Sequence, residues 1–193
     1  MWNVGLVGSK LKKEELIFER LSKGHLPLLK EFSCTETELE DFLVEDAWEN
    51  GQQGISVTYL WFLKKGKKLV GYVTLLTDNI NLNADLKGFF REKDIHYKSL
   101  PALKIGRMAV SKDMMRKGIG AMMIRLAISI TLEIYREYAG CRFVVLDAKK
   151  GKDPKFDPIH FYRKMGFKIL KQREKGTVPM YLDIWLKGTG GST

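Results

Sequence analysis

The sequence predicts an α/β fold in which a central mixed β-sheet carries helices on both faces. Three observations predict it. Phe143 to Ala148 is a nearly unbroken apolar run, as expected of a buried central strand. Gly118 to Ala139 places apolar residues at 119, 122, 123, 126, 130 and 134, the spacing of one face of a long helix. Strand-like segments precede that helix, and strand, helix and strand segments follow it, an order that calls for a mixed sheet packed by helices.

The elements can be justified in chain order. Leu16 to Leu21 alternates loosely and reads as a first strand. Thr35 to Asn50 has Leu39, Phe42, Leu43 and Ala47 at helical spacing, and Thr35 with Glu38 has the form of a capping box. Gly51 and Gly54 are expected to end that helix. Ser56 to Leu63 is rich in β-branched and aromatic residues, and Lys68 to Thr77 follows the polar turn Lys64 to Lys67, which predicts a hairpin. Residues 79–102 mix Phe89, Phe90 and Tyr97 with charges; they have room for a short helix and are long for a plain connection. Leu103 to Val110 is a strand. Gly140 stands where a C-terminal glycine cap is expected for the long helix. Asp157-Pro158 predicts the start of a short helix, with Asp as N-cap and Pro at the first helical position, and Gly166 its end. Phe167 to Leu170 and Val178 to Leu186 read as two final strands.

No repeat or low-complexity linker divides the chain, so residues 1–187 are expected to form one domain. The Gly/Ser/Thr segment 188–193 reads as a flexible tail or an expression remnant. A chain of 193 residues can bury roughly 70% of its unfolded surface and folds without disulfides or a structural metal. Its two cysteines, Cys34 and Cys141, form no CxxC pair, which argues against zinc and disulfide frameworks and for a reducing, cytoplasmic setting. His25, His96 and His160 share no ligand spacing, so no metal is expected. The longest apolar stretch, Leu126 to Leu132, is too short for a bilayer and is flanked by Arg125 and Glu133, so no membrane association is expected. The net charge of +10 is unevenly spread. Residues 1–100 hold 14 basic against 15 acidic side chains, and residues 101–193 hold 19 against 8. A basic half attracts a phosphate-bearing cofactor, a nucleic acid, or both.

The segment with the most chemistry runs from Ile105-Gly106-Arg107-Met108-Ala109-Val110 through Met115-Arg116-Lys117-Gly118-Ile119-Gly120 into the long helix. Glycines at i and i+2 let a backbone approach a ligand closely and take positive φ. The helix that follows presents unpaired N–H groups, where an anion can sit. The dinucleotide fingerprint is not met, because Met123 stands where its third glycine belongs, and no Walker-type lysine follows. Taken alone, the segment is equally readable as a glycine-rich turn before a helix.

About forty residues on lies Phe161-Tyr162-Arg163-Lys164-Met165-Gly166-Phe167, a short helix running into a strand. Together the two segments resemble the GCN5-related N-acetyltransferase (GNAT) superfamily: the first is similar to its Arg/Gln-x-x-Gly-x-Gly/Ala acetyl-CoA signature, the second to its Phe-Tyr-x-x-x-Gly-Phe box. The specific resemblance covers residues 103–170. It implies the GNAT-like acyl-CoA N-acyltransferase fold, acetyl-CoA as co-substrate, and acetyl transfer to a primary amine by direct attack in a ternary complex. Met108, Ala109 and Val110 would pair with pantetheine. The backbone from Met115 through Arg116, Lys117, Gly118, Ile119 and Gly120 to Ala121 would hold the pyrophosphate. Tyr162 would protonate the departing thiolate, against the plainer reading of a core tyrosine between Phe161 and Phe167. Met115 departs from the Arg or Gln usual at the first signature position, which puts only that side-chain contact in doubt. No asparagine follows the next strand, where the sequence reads Asp147-Ala148-Lys149-Lys150; Lys149, Lys150, Lys152 and Lys155 either meet the CoA nucleotide or form a solvated loop.

No general base is evident. Residues 103–110 contain no carboxylate, and Asp147 is more readily a structural residue at a strand end. Arg107 would contact an anionic acceptor or pair with a carboxylate. Cys141 reads as a small hydrophobe, and Trp48, Trp61 and Trp185 as packing aromatics. The acceptor is open between a small-molecule or protein amine and, in a second reading, the amino group of aminoacyl-tRNA. That second reading follows from a resemblance of Phe32-Ser33-Cys34, Leu39, Phe42-Leu43 and Ile105–Val110 to the toxin acetyltransferases of bacterial toxin–antitoxin pairs. A third reading is a non-enzymatic, basic nucleic-acid-binding module on a degenerate acyltransferase fold. The resembled family also makes a homodimer an expectation.

Overall fold

A computed structural model describes residues 13–149, 157–173 and 175–185. The strands are β1 (Leu16–Arg20), β2 (Val57–Leu63), β3 (Leu69–Asn81), β4 (Ser99–Val110), β5 (Phe143–Lys149), β6 (Lys168–Ile169) and β7 (Thr177–Asp183). The helices are α1 (Leu26–Leu29), α2 (Thr37–Asp41), α3 (Ala47–Gln52), α4 (Ala84–Arg91), α5 (Ile119–Glu137) and α6 (Pro158–Lys164). The strands follow the order β1-β2-β3-β4-β5-β7-β6. β1, β2 and β3 pair antiparallel, β4 and β5 parallel, and β7 pairs antiparallel with both β5 and β6. The sheet is therefore mixed. The chain divides into two compact units, one of residues up to Leu75 with Arg107–Met123, the other of Leu76–Gly106 with the chain from Ile124 onward.

In the first unit, Leu60 and Phe62 on β2 and Tyr72 on β3 bury against Leu29, Leu43 and Ala47 of the helical segments. Burying such a side chain stabilises by about 1.5–3 kcal/mol. The alternate residue Gly71 faces the other way, toward Met123 of α5. Side chains of a strand alternate between faces, so this unit carries helix on both faces of its strands.

The helical stretch after β1 departs from expectation. Thr35 is not its cap: the N-cap is Glu36, with extended backbone (φ −121) and no side-chain cap bond. The reaching-back carboxylate is Glu40, which accepts from the Cys34 amide at 2.5 Å and the Ser33 hydroxyl at 3.1 Å. The bond from the Cys34 amide, chief among the causes, holds the Glu40 carboxyl below its ordinary range. Between α2 and α3 the helix widens into a π-turn at Phe42–Asp46. Gly51 stays inside α3, and the chain turns instead at Gly54, whose φ of +70 needs glycine.

Gly71 pairs with Trp61 on β2, and the register shifts just beyond it, so that Phe62 pairs with Leu69. A Cβ on Gly71 would lie 2.8 Å from the Ala109 carbonyl oxygen and would collide with the Met123 methyl. The methyl can swing away, but the β4 backbone cannot. Gly71→Ala is expected to lower unfolding stability by about 1–3 kcal/mol. An unchanged denaturation midpoint would show that β4 yields.

In the second unit Phe90 of α4, Phe143 and Val145 of β5, and Tyr181 of β7 form the core with Ile80 and Ala102. Phe143 to Leu146 are all buried, which explains their uninterrupted apolar run. The α4 helix fills part of the 79–102 connection, with Asn83 as N-cap accepting from the Leu86 amide. The expected glycine cap at Gly140 is absent. The Tyr138 and Ala139 amides both donate to the Ile134 carbonyl, at 3.0 and 2.8 Å, so the helix closes before Gly140, which keeps an ordinary φ. The other two boundary expectations hold: the Asp157 carboxylate accepts from the Ile159 amide at 3.0 Å, and Gly166 has φ +93. Trp185 packs edge to face against Tyr135 and is 43% exposed. Leu186, the segment 188–193, and Lys150, Lys152 and Lys155 lie outside the described residues.

Candidate active site

The glycine loop lies in the first unit. The Ser111 amide donates to the Val70 carbonyl and the Met114 amide to the Ser111 carbonyl, which turns the chain out of β4. Met114, in this turn, is buried. Arg116 (φ +63) and Gly118 (φ +89) both take the left-handed region. Left-handed residues of this kind occur in turns that can present backbone amides to an anion. The first internal bond of α5 runs from the Met122 amide to the Gly118 carbonyl, at 3.2 Å. The amides of Ile119, Gly120 and Ala121 therefore have no acceptor within the helix.

Side chains reinforce this opening. Ile119 and Met123 are buried one turn apart and fix the helix, while Met115, Arg116, Lys117, Gly118, Gly120 and Ala121 all reach solvent at least in part. No acidic residue occupies the first turn of α5. A helix dipole without an acidic side chain in its first turn favours an anion there, each contact contributing about 0.3–2 kcal/mol.

At the end of β4, Ala109 is buried and its neighbours Met108 and Val110 are half-buried. Arg107 is exposed and lies over the Phe42 ring of the π-turn, 5.2 Å from its centroid. Phe42 in turn stacks on Tyr72, whose hydroxyl donates to the Leu39 carbonyl at 2.7 Å. Burial raises the Tyr72 phenol far above its ordinary value, so it stays a hydrogen-bond donor.

Tyr162 lies in the second unit, on α6, which packs on β5. Its ring sits 5.2 Å from that of Phe161 and 5.7 Å from that of Phe167. The Phe167 amide donates to the Tyr162 carbonyl at 3.0 Å, closing the helix. Desolvation pushes the phenol up to about 12. It is thus a fully protonated donor at physiological pH, and a weaker acid than a tyrosine in water.

Asp147, weighed as a base from sequence, is tied to an ammonium. Lys104 on β4 reaches Asp147 on β5 at 2.9 Å and Asp78 on β3 at 3.4 Å. Burial works against the charged lysine, but the two carboxylates outweigh it and raise its pKa. This trio gave no signal in the sequence, because its members are separated by 26 and 43 positions and meet only across strands. Burial likewise pushes the Cys141 thiol up, in keeping with a small core residue. Among the described residues no group of His, Cys, Asp and Glu could hold a metal, and no helix is long and apolar enough to cross a membrane.

The sequence model of the Acetyltransferase (GNAT) domain matches residues 56–169, more than half of the chain. The chain belongs to the GNAT acetyltransferase family. It is therefore an N-acetyltransferase, with acetyl-CoA as acyl donor. No curated protein matches the chain by sequence. Solved structures share its fold. AtaT complexed with acetyl-methionyl-tRNAfMet is 21% identical, with a TM-score of 0.73 over 89% of this chain and 96% of that one. A tyrosine-to-phenylalanine mutant of KacT is 20% identical, with the same TM-score and coverage. AtaTR bound with AcCoA is 22% identical, with a TM-score of 0.69 over 91% of this chain and 99% of that one. This GNAT fold puts the glycine loop between a strand and the long helix, and Tyr162 on the short helix before β6.

Proposed function

We propose that this GNAT protein transfers the acetyl group of acetyl-CoA to a primary amine by direct attack in a ternary complex. The observation that carries the reading is the opening of α5. Arg116 and Gly118 hold the left-handed conformation, and the next three amides have no helical acceptor. The backbone from Met115 to Ala121 holds the diphosphate, with Arg116 and Lys117 adding charge. The β4 backbone at Met108, Ala109 and Val110 pairs with pantetheine, and one of its amides polarises the thioester carbonyl. The amine attacks that carbonyl carbon, the C–S bond breaks, and Tyr162 gives its proton to the departing sulfur. The amine's own proton leaves through water.

A second reading narrows the acceptor to the α-amino group of aminoacyl-tRNA, and two observations favour it. The fold matches nearly the whole length of AtaT captured with acetyl-methionyl-tRNAfMet. Residues 101–193 carry 19 basic against 8 acidic side chains, which suits a phosphate-rich substrate. The amine of an aminoacyl ester also has a lowered pKa, which fits a site without an evident base. Labelled acetyl-CoA should be tested against small amines, peptides and aminoacyl-tRNAs. Acetylation of some primary amine supports the first reading; label on charged tRNA, with growth arrest on expression, supports the second. No transfer to any amine would sink both, and transfer confined to small amines or peptides would sink the second alone.

A further inference from the structure

Along the second unit, exposed cations collect from the last turn of α6 onward: Arg163, Lys164, Lys168, Lys171, Arg173 and Lys175. Among the described residues none of the six has a recorded ion pair. Lys68, Lys104, Lys112 and Arg142 elsewhere each meet a carboxylate within 4.0 Å. Sequence offers this run one acid, Glu174. Two of the six have a local explanation, since Arg163 and Lys164 lie in the last turn of α6 and complement its dipole. Lys168 lies on β6, an edge strand of the sheet, where a lysine also discourages edge pairing. Neither effect accounts for Lys171, Arg173 and Lys175 in the β6–β7 connection.

The backbone under this strip is anchored. Leu170 packs against the second unit's core, its amide donates to the Pro179 carbonyl at 2.8 Å, and its carbonyl accepts from the Asn83 side chain at 3.1 Å. Charges on an anchored base bind a polyanion at a lower ordering cost than charges on a free tail. The two apolar residues beside them, Ile169 and Leu170, are half-buried against the protein and offer no anchor for acyl chains.

We infer that Lys168, Lys171, Arg173 and Lys175 form a contact surface for the phosphate backbone of an RNA substrate. The inference rests on the reading that aminoacyl-tRNA is the acceptor. It adds where that substrate's backbone is held. Contacts of this kind position the nucleic acid and carry no base specificity. Their signature is a salt dependence with a slope of about 0.7–0.9 per phosphate neutralised.

The test measures binding of uncharged tRNA by fluorescence anisotropy across a salt series. The wild type is compared with the combined variant Lys168→Gln, Lys171→Gln, Arg173→Gln, Lys175→Gln. The variant is expected to bind at least about tenfold more weakly near 0.1 M salt, with a log–log slope smaller by roughly 3. Its acetyl-CoA affinity and its transfer to a small amine should be unchanged. If it misfolds, Lys171→Gln with Arg173→Gln, both in the connection, carries the same test at about half the slope change. Equal affinity and slope in wild type and variant would overturn the proposal. So would strip-dependent sedimentation with phosphatidylserine vesicles in the absence of tRNA binding. tRNA bound through the strip but never acetylated would remove the aminoacyl-tRNA acceptor and leave the surface standing. Charged tRNA acetylated equally well by both proteins would do the reverse.

Discussion

Tyr162→Phe is expected to lower kcat by about 10²–10⁴, a barrier increase of ~2.7–5.4 kcal/mol, while leaving acetyl-CoA affinity nearly unchanged. The separation follows from what the substitution keeps. The ring is held by Phe161 and Phe167, and phenylalanine preserves both contacts. Among the described residues no hydrogen bond is recorded to the Tyr162 hydroxyl, so its loss should cost the fold little. On the proposed mechanism, what disappears is the proton for the departing sulfur. The phenol, pushed up to about 12, is a poorer acid than tyrosine in water. The sign of the pH effect is also fixed. A raised phenol keeps its proton until pH approaches 12, so its ionisation should cause no alkaline loss of kcat between pH 7 and about pH 10. Single-turnover rates of wild type and variant across that range check both points. Equal kcat in the two proteins would remove Tyr162 from the chemistry.

Asp183→Ala is expected to be the most damaging single change for stability. The Asp183 carboxylate is buried and receives Arg142 through Nε, at 3.2 Å to each oxygen, and through a terminal nitrogen at 2.9 Å. It also accepts from the Trp185 amide at 3.0 Å. The guanidinium lies among the rings of Phe89, Phe90 and Phe143, the nearest centroid 4.6 Å away. Removing the carboxylate strands a cation among aromatic faces. Breaking one partner of a buried pair costs about 3–5 kcal/mol. Arg142 keeps some solvent access, which points to the lower end. For a chain of this size, about 3 kcal/mol lowers Tm by roughly 6–12 °C. Differential scanning calorimetry checks it, with Arg142→Met/Asp183→Leu as the companion. The double variant should recover much of the loss, because no unpaired charge remains. A single variant within about 1 kcal/mol of wild type would show that water reaches the guanidinium.

Much of this protein was readable in advance, and the reasons are local. The hairpin of β2 and β3 follows from two runs rich in β-branched and aromatic residues around a Gly66 turn. Helix α5 follows from its apolar period, and α6 from Asp157, Pro158 and Gly166. The misread boundaries share a cause. Thr35 and Glu38 had the right letters for a capping box, but Glu40 reached back to Cys34 instead. Gly140 had the right position for a cap, but the helix had already closed on the Ile134 carbonyl. In both cases a backbone group found another partner nearby, and only coordinates show which partner wins.

The sequence by itself determined the family and the order of the main strands and helices, because each depends on residues close together along the chain. Tertiary structure alone decided the rest. It joined Lys104 to Asp78 and Asp147, sealed Arg142 against Asp183, and set Gly71 against the Ala109 carbonyl. Those contacts unite residues dozens of positions apart, whose meeting is set by strand register and side-chain packing rather than by any local preference.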